Sequence, residues 1–394
     1  MASGGVKINS LNNISLDILI PEIIMTIGML MIIIIPNLGD AKIRLPLSKI
    51  HIPILIGGTR FTQVNNPVIP SIISIITFGL ATLMSLLMLL NDNTGVMEPI
   101  IEVNQFTSLF SMIFTFALLL TSISSLYRLP SQANAKIPDD SDSEKSLNSK
   151  ITILMNNRRQ VDFYILLLMA GLGMCLVAKS THLFMLFVCL ELASLSSYVL
   201  VAFNKESTIG GEAGTKYFIV GSVASAIGIY GMSLLYIWNG NLEISSLTNA
   251  WSQMDSLDPF AGIGIGLMLV AFGFKVGAAP FHLATPDAYS GASSPIAGLL
   301  ATASKAMGFV AMMRILLIIT IPENGEEAYW MIALAIISVI TMTWGNFAAL
   351  TSTNPKRMLA YSSVAHAGYM LAALAAIGTG LGDEESNALI LTAI

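Results

Sequence analysis

Residues 183–200 read LFMLFVCLELASLSSYVL and carry one charged side chain, Glu191, near the middle of an otherwise apolar run. An apolar run of about 18 residues or more is long enough to cross a bilayer as a helix. Comparable runs recur along the whole chain. The sequence therefore predicts an all-α, polytopic membrane protein.

The composition of the 394-residue chain agrees with this fold class. Hydrophobic residues make up 54% of the chain and charged residues 11%, whereas soluble domains carry about 25% charged residues. This balance excludes a soluble globular enzyme, a secreted disulfide scaffold and a disordered chain. With 24 acidic against 19 basic residues, nucleic-acid binding is not expected, because it needs a clustered basic face.

Hydropathy predicts ten spans, near residues 18–36, 69–90, 106–126, 161–178, 182–203, 213–238, 260–285, 295–320, 329–351 and 357–378. Thirteen of the 19 Lys and Arg residues fall in loops after odd-numbered spans, and only Lys7 and Lys179 fall on the other side. By the positive-inside rule, the N-terminus is predicted outside, with the odd loops in the cytoplasm or the mitochondrial matrix. The polar residues 131–150 predict a flexible cytoplasmic loop, with a phosphorylation or docking segment as the alternative.

A few ionisable residues remain inside the apolar segments. From the rise along a helix, Glu191 and Lys305 lie roughly 15 Å deep and Lys275 roughly 22 Å deep. Lys216 lies near the start of the sixth span, and Arg314 lies near the end of the eighth, where it could snorkel to the surface. Such residues usually mark ion or proton paths. A proton relay is one interpretation, and static ion pairs that lock the helices together are the other.

The seventh segment is irregular around Lys275. Gly273 and Gly277 flank this lysine, and Pro280 follows five residues later. Because proline removes a backbone donor and clashes with the preceding turn, the segment is predicted to be a broken helix of the kind that lines transport sites. A plain proline kink is the alternative.

The remaining candidates are less specific. His282 and His366 could extend a proton wire or serve as hydrogen-bonded packing residues, and Glu22 is expected at the membrane interface. Cys175 and Cys189 have no Cys-x-x-Cys spacing, so no iron–sulfur cluster or zinc site is expected in this chain.

The stretch at residues 274–305, FKVGAAPFHLATPDAYSGASSPIAGLLATASK, resembles the antiporter-like membrane subunits of complex I, the proton-pumping NADH:quinone oxidoreductase. It is most similar to subunit N (mitochondrial subunit 2). Supporting stretches are LELASLSSYVL, EAGTKYFIVGSVASAI and NPKRMLAYSSVAHAGYM.

The resemblance implies a bundle of two inverted five-helix repeats, each with a broken helix. It implies that Glu191 is the glutamate of the fifth helix and Lys216 its partner on the sixth. Lys275 would be the lysine at the break of the seventh helix and Lys305 the central lysine of the eighth. No cofactor is implied in this chain, and quinone, NAD(H), FMN and Fe–S clusters would be held by partner subunits.

The same resemblance predicts the domain organisation. Residues 1–160 would form an N-terminal three-helix segment, 161–320 the first repeat and 321–394 the start of a second repeat. Because the chain stops at Ile394, before the family's second broken helix, the second repeat is expected to be incomplete. A truncated sequence, a contribution from another chain and an absent second half-channel are the alternatives.

The predicted function is proton translocation through this Glu/Lys relay, coupled to electron transfer in other membrane-arm and redox subunits. The alternatives are a Na⁺/H⁺ antiporter-type subunit without a redox partner and a structural subunit of a membrane arm. The predicted location is a prokaryotic plasma membrane, with the mitochondrial inner membrane as the alternative.

Overall fold

The fold follows from a series of long apolar helices. The computed structural model describes residues 16–34, 42–44, 51–53, 68–97, 99–126, 144–204, 207–254, 256–316, 318–319 and 329–377. Within these residues, ten helical segments are long and apolar enough to cross a membrane, which confirms the predicted polytopic helical fold. They are Asp17–Ile34, Val68–Leu90, Gln105–Ser125, Arg159–Lys179, Leu183–Val201, Thr208–Asn239, Pro259–Gly291, Ser294–Leu316, Met331–Thr351 and Pro355–Ala376.

The α-helices are numbered in chain order. They are α1 (Ile20–Ile34), α2 (Val68–Leu90), α3 (Gln105–Ser125), α4 (Glu144–Lys179), α5 (Leu183–Val201), α6 (Thr208–Asn239), α7 (Ile244–Ser252), α8 (Pro259–Val276), α9 (Thr285–Gly291), α10 (Ser294–Leu299), α11 (Lys305–Leu316), α12 (Tyr329–Thr351) and α13 (Pro355–Ile377). Two short antiparallel hairpins pair β1 (Lys42–Arg44) with β2 (His51–Pro53) and β3 (Gly95–Met97) with β4 (Ile101–Val103).

Helix α4 lies at the centre of the bundle and packs against α1, α2, α3, α5 and α11. Its side chains Phe163, Tyr164, Leu167 and Leu168 are buried. Around it, the outward helix faces expose apolar side chains such as those of Ile76, Leu83, Phe116, Val188 and Ile340. An apolar outer surface of this extent is what contact with lipid requires.

The start of α4 differs from the prediction for the polar segment. Residues 144–150, predicted to belong to a flexible loop, form the first turns of α4, while residues 131–143 lie outside the described residues. Because Glu, Lys and Leu, which make up four of these seven residues, are good helix formers, the polar end of the segment can extend the helix beyond its membrane span.

Contacts between helix ends define two faces of the bundle. On the first, here called the Lys179 face, Lys179 at the end of α4 meets Glu22 at the start of α1. On the second, here called the Asp287 face, Asp287 of α9 meets Arg357 at the start of α13. The start of the first span and the end of the fourth share a face, as do the end of the seventh and the start of the tenth. This is the alternation that ten consecutive crossings require.

Candidate functional site

Glu191 lies midway along α5 and is partly buried between helices. Its Oε1 atom accepts a hydrogen bond of 2.5 Å from the hydroxyl of Ser225 on α6. A small cavity beside it is lined by Glu191, Ser225, Tyr198 and Lys275, together with six apolar residues, Phe187, Leu190, Ala224, Ala271, Phe272 and Phe274. The carboxylate and the lysine amine predicted from sequence thus border one cavity inside the bundle.

Lys275 is the penultimate residue of α8 and is 7% exposed. Among the described residues, its Nζ has no hydrogen-bond partner, and it lies 5.2 Å from the centroid of the Tyr198 ring. Gly277 caps α8 in the left-handed conformation, with φ of 79°. The amide of Gly277 bonds to the carbonyls of Gly273 and Phe274. Lys275 lies in this last turn, and the negative end of a helix favours a cation.

Beyond Gly277, the seventh span is not α-helical until α9. Ala278–Pro280 have no regular structure, and a 3-10 turn at Phe281–Ala284 follows. The amide of Ala279 donates a hydrogen bond of 3.0 Å to the hydroxyl of Thr341 on α12. A neighbouring helix thus satisfies a backbone group that the end of α8 leaves free, which is how irregular backbone is tolerated inside a membrane protein.

Lys305 begins α11 and is 8% exposed. Its Nζ donates a hydrogen bond of 2.6 Å to the carbonyl oxygen of Ser363 on α13. A Cβ placed on Gly277 would lie 3.7 Å from this Nζ, so the amine rests against the cap of α8. Lys275 and Lys305 therefore both lie at the C-terminal end of α8.

The chain just before Lys305 adopts π-helical geometry over Leu300–Ser304. Such bulges are rare and are frequent at functional sites. Sequence reasoning missed this feature, because no residue pattern in the stretch distinguishes a π turn from an α turn.

Lys216 is placed differently from the prediction. The expected Glu191–Lys216 pair is wrong in this structure: Lys216 Nζ lies 2.6 Å from Glu212 and 3.3 Å from Asp287, and its side chain is half exposed. Ser225, the residue of α6 that reaches Glu191, follows Lys216 by nine residues, or roughly 13 Å along the helix. Lys216 therefore belongs to the Asp287 face, and it is separated from the depth of Glu191 by this distance along α6.

Sequence reasoning also missed the charge network around Asp287. Arg357 of α13 lies 3.1 Å from the second carboxylate oxygen of Asp287, so this residue joins α6, α9 and α13. The i,i+4 spacing of Glu212 and Lys216 could have indicated one of these pairs. The contacts of Asp287 with Lys216 and Arg357 cross between helices and have no such local signal.

The two histidines lie in different surroundings. His282 is 4% exposed, and its ring lies 5.9 Å from that of Trp344 on α12. His366 is exposed on α13, with its ring 5.6 Å from that of Tyr369. The structure thus brings His282, and not His366, into the buried region around the end of α8.

Three charged residues at the Lys179 face depart from their predicted positions. Glu22, expected at the interface, and Lys179, expected in a loop, form a buried ion pair of 2.7 Å. Arg314, expected to snorkel, is 8% exposed and donates a hydrogen bond of 2.7 Å to the carbonyl of Ala178. Each is buried because a neighbouring helix supplies its partner, and a buried charge is tolerated only when paired or hydrogen-bonded.

A histidine caps the helix that carries Glu191. His182 is the N-cap of α5, and its Nδ1 atom accepts a hydrogen bond of 3.3 Å from the amide of Phe184. Burial lowers the pKa of His182, against the opposing effect of Glu243. A lower pKa favours the neutral ring, which keeps the Nδ1 lone pair that caps the helix.

Within the described ranges, no group of three or more His, Cys, Asp or Glu residues is arranged to hold a metal ion. Cys175 and Cys189 are buried and not disulfide-bonded. The site is therefore built from single ionisable side chains on separate helices.

The fold and the site define a polytopic helical membrane protein with a carboxylate and two lysines enclosed between its helices. Residues 180–392, more than half of the chain, match the family described as NADH:quinone oxidoreductase/Mrp antiporter, TM. The chain belongs to this family.

Similar proteins with known names support the same assignment. The chain is 43% identical over 224 residues to NADH-quinone oxidoreductase subunit N of Trichlorobacter lovleyi, covering 57% of the chain and 45% of that protein. It is 40% identical over 218 residues to NADH-quinone oxidoreductase subunit N 2 of Koribacter versatilis, covering 55% and 43%. The chain therefore spans under half of the length of these relatives.

Solved structures share the fold over most of the chain. A chain of respiratory complex I from Thermus thermophilus matches with a TM-score of 0.64 and 26% identity, covering 90% of this chain and 64% of that one. A chain of the Mrp complex from Dietzia matches with a TM-score of 0.69 and 17% identity, covering 92% and 59%. At this lower identity the second likeness concerns the fold alone.

Proposed function

We propose that this chain is part of a proton-translocating membrane subunit of an NADH:quinone oxidoreductase of the complex I type. The observation that carries the proposal is the cavity bordered by both Glu191 and Lys275, with Lys305 against the Gly277 cap of α8. The family match and the names of the relatives support the choice of oxidoreductase over other transporters.

Each buried group has a separate part in the proposed path. Glu191 takes up a proton and passes it to the amine of Lys275, directly or through one water molecule. The resulting ammonium gives a proton on toward Lys305 past the end of α8 and returns to the neutral amine. Because charge is costly at this depth, each amine holds its proton only while another charge or polar group compensates it.

Lys216 enters this path in a revised role. Its half-exposed position between Glu212 and Asp287 fits a group that exchanges protons with solvent at the Asp287 face. By the positive-inside rule, the basic loops on that side favour a cytoplasmic (or matrix) location for this face, with the N-terminus of the chain outside. His282 could extend the path beyond Lys305.

Electron transfer would occur in partner subunits. There the NAD(H), FMN, Fe–S clusters and quinone would be held, while this chain would contact other membrane-arm subunits and the lipid bilayer. The bacterial relatives favour a prokaryotic plasma membrane. The chain itself would contribute the proton path and no redox group.

The test uses the full-length protein in its native complex, in inverted membrane vesicles supplied with NADH and quinone. Glu191→Gln should lower the number of protons moved per electron at least severalfold while the assembled complex still reduces quinone. Glu243→Gln is the matched control, because Glu243 is the N-cap residue of α7 and lies outside the spans, where its carboxylate accepts a hydrogen bond from the hydroxyl of Ser245. Equal proton-to-electron ratios in both variants would overturn the proposal.

Two further outcomes would indicate the alternatives. Proton movement driven by a sodium gradient without any electron donor would indicate an antiporter-type subunit, the other activity named in the description of this family. If Glu191→Gln prevents assembly of the complex, and any complex that does assemble pumps normally, a structural subunit would be indicated.

A further inference from the structure

We propose that the aromatic ring of Tyr198 is the positioning group for the ammonium of Lys275 and holds it beside Glu191. This inference rests on the proposed function, because it assigns a role within the same proton path. It concerns a residue that carries no charge and that the sequence pattern of buried ionisable groups does not reveal.

The first observation is the geometry around the amine. Lys275 Nζ lies 5.2 Å from the centroid of the Tyr198 ring, within the range of about 6 Å at which an ammonium is attracted to a ring face. Among the residues that the structure describes, no hydrogen-bond acceptor contacts this Nζ. The ring face is therefore the contact that stabilises the protonated amine in this arrangement.

The second observation is the position of Tyr198 on α5. It follows Glu191 by seven residues, about two helical turns, so both side chains project from the same face of the helix. Both line the cavity that Lys275 also borders. An amine held on the ring thus remains on the side of the cavity from which it can reach the carboxylate.

The third observation is that the ring itself is held firmly. It is 4% exposed and packs edge-to-face against Tyr217, with ring centroids 4.7 Å apart and an interplanar angle of 87°. Phe218 packs against it at 6.0 Å, and Gly221 leaves space on α6 for its hydroxyl end. The hydroxyl therefore points toward α6, and the ring, not the hydroxyl, is presented to Lys275.

Other charged and aromatic groups near Lys275 also affect the stability of its ammonium form. Glu191 faces the amine across the cavity from α5. The Nζ of Lys305 lies close to Gly277, and Tyr217 of α6 packs against Phe274, the residue before Lys275. A ring face that favours the ammonium form offsets part of the cost of burying the charge beside a second lysine.

The test compares Tyr198→Phe with Tyr198→Leu in the full chain within its complex, measuring protons per electron against pH. Tyr198→Phe should keep the wild-type profile, because it keeps the ring. Tyr198→Leu should move the alkaline limit of pumping to lower pH by about one unit, the scale of a desolvated cation–π contact. Tyr230→Leu is the control, because it removes an exposed aromatic ring of α6 that is not part of this cluster.

If Tyr198→Leu does not assemble, fluorinated phenylalanines introduced at position 198 replace it, because they weaken the ring face at nearly constant size. A progressive shift of the alkaline limit with fluorination supports the proposal. If the alkaline limit does not shift across the fluorinated series, the proposal is overturned. It is also overturned if Tyr198→Phe reduces pumping as much as Tyr198→Leu does. Lys275→Met in the same assay separates the two claims, since normal pumping there would refute the proposed function itself.

Discussion

The ammonium of Lys179, at the end of α4, lies 2.7 Å from one carboxylate oxygen of Glu22 and 2.8 Å from the other. Both side chains are almost fully buried, so α1 is joined to the central helix of the bundle by an ion pair without access to solvent. The pair lies at the Lys179 face, away from the cavity between Glu191 and Lys275.

Breaking this pair should destabilise the protein without a specific effect on proton transfer. Glu22→Gln leaves the Lys179 ammonium buried and unpaired, which costs about 3–5 kcal/mol. The double variant Glu22→Gln/Lys179→Met should recover much of that loss, because it buries no unpaired charge. Thermal unfolding of the detergent-solubilised complex measures both. Equal losses in the single and double variants would contradict a paired role.

Gly277 should be required for its backbone conformation and for the space beside Lys305. Gly277→Ala places a side chain at a φ of 79°, which costs about 1–2 kcal/mol. It also adds an atom 3.3 Å from the Thr285 hydroxyl and 3.7 Å from Lys305 Nζ. Gly240→Ala is the matched control, since its φ is 70° and no described atom lies within 4 Å of the added Cβ.

Gly277→Ala should therefore lose at least as much stability as Gly240→Ala, and it alone should also lower the number of protons moved per electron. A complex with Gly240→Ala that pumps as poorly as one with Gly277→Ala would show that stability alone explains the loss.

Thr341 should hold the irregular backbone after α8 in place. Thr341→Val removes the acceptor of the Ala279 amide, and a buried amide without a partner costs about 1–3 kcal/mol. Thr343→Val is the control, because the Thr343 hydroxyl is exposed and bonds only to the carbonyl of Val339 in its own helix. Hydrogen exchange of residues 277–284 should increase in the first variant alone. Unchanged exchange there would show that Thr341 does not support this segment.

Asp287 should matter for transport more than for stability. Asp287→Asn removes the carboxylate that joins Lys216 to Arg357, and ion pairs this exposed contribute little to folding. Protons per electron should fall severalfold at unchanged assembly. Glu212→Gln is the comparison, because it removes the other partner of Lys216 but leaves α9 joined to α13. An equal effect of the two variants would assign the role to Lys216 alone.

The sequence predicts the spans well and the contacts between them poorly, for physical reasons. Apolar length alone identifies a membrane helix, so ten spans could be predicted from runs such as residues 183–200. The partner of a charge depends on how each helix is rotated and shifted along its neighbours. Lys216 illustrates this. Lys216 and Ser225 lie nine residues apart on α6, and the position of α6 along α5 decides which of them contacts Glu191.

Burial of charge could not be predicted from local sequence either. Glu22 and Lys179 lie 157 positions apart, and each looks interfacial beside its own helix end. Only the packing of α1 against α4 shows that they neutralise each other. By contrast, Lys275 and Lys305 could be identified from sequence, because both lie deep within apolar runs where an ionisable group has no local explanation.

The central claim is that a proton passes between Glu191 and Lys275, and one measurement tests it most directly. This is the number of protons translocated per electron in vesicles that contain the native complex with Lys275→Met. The methionine preserves an unbranched side chain of similar length but cannot hold a proton. The account predicts a clearly lower ratio with quinone reduction retained. An unchanged ratio in the assembled complex would contradict it.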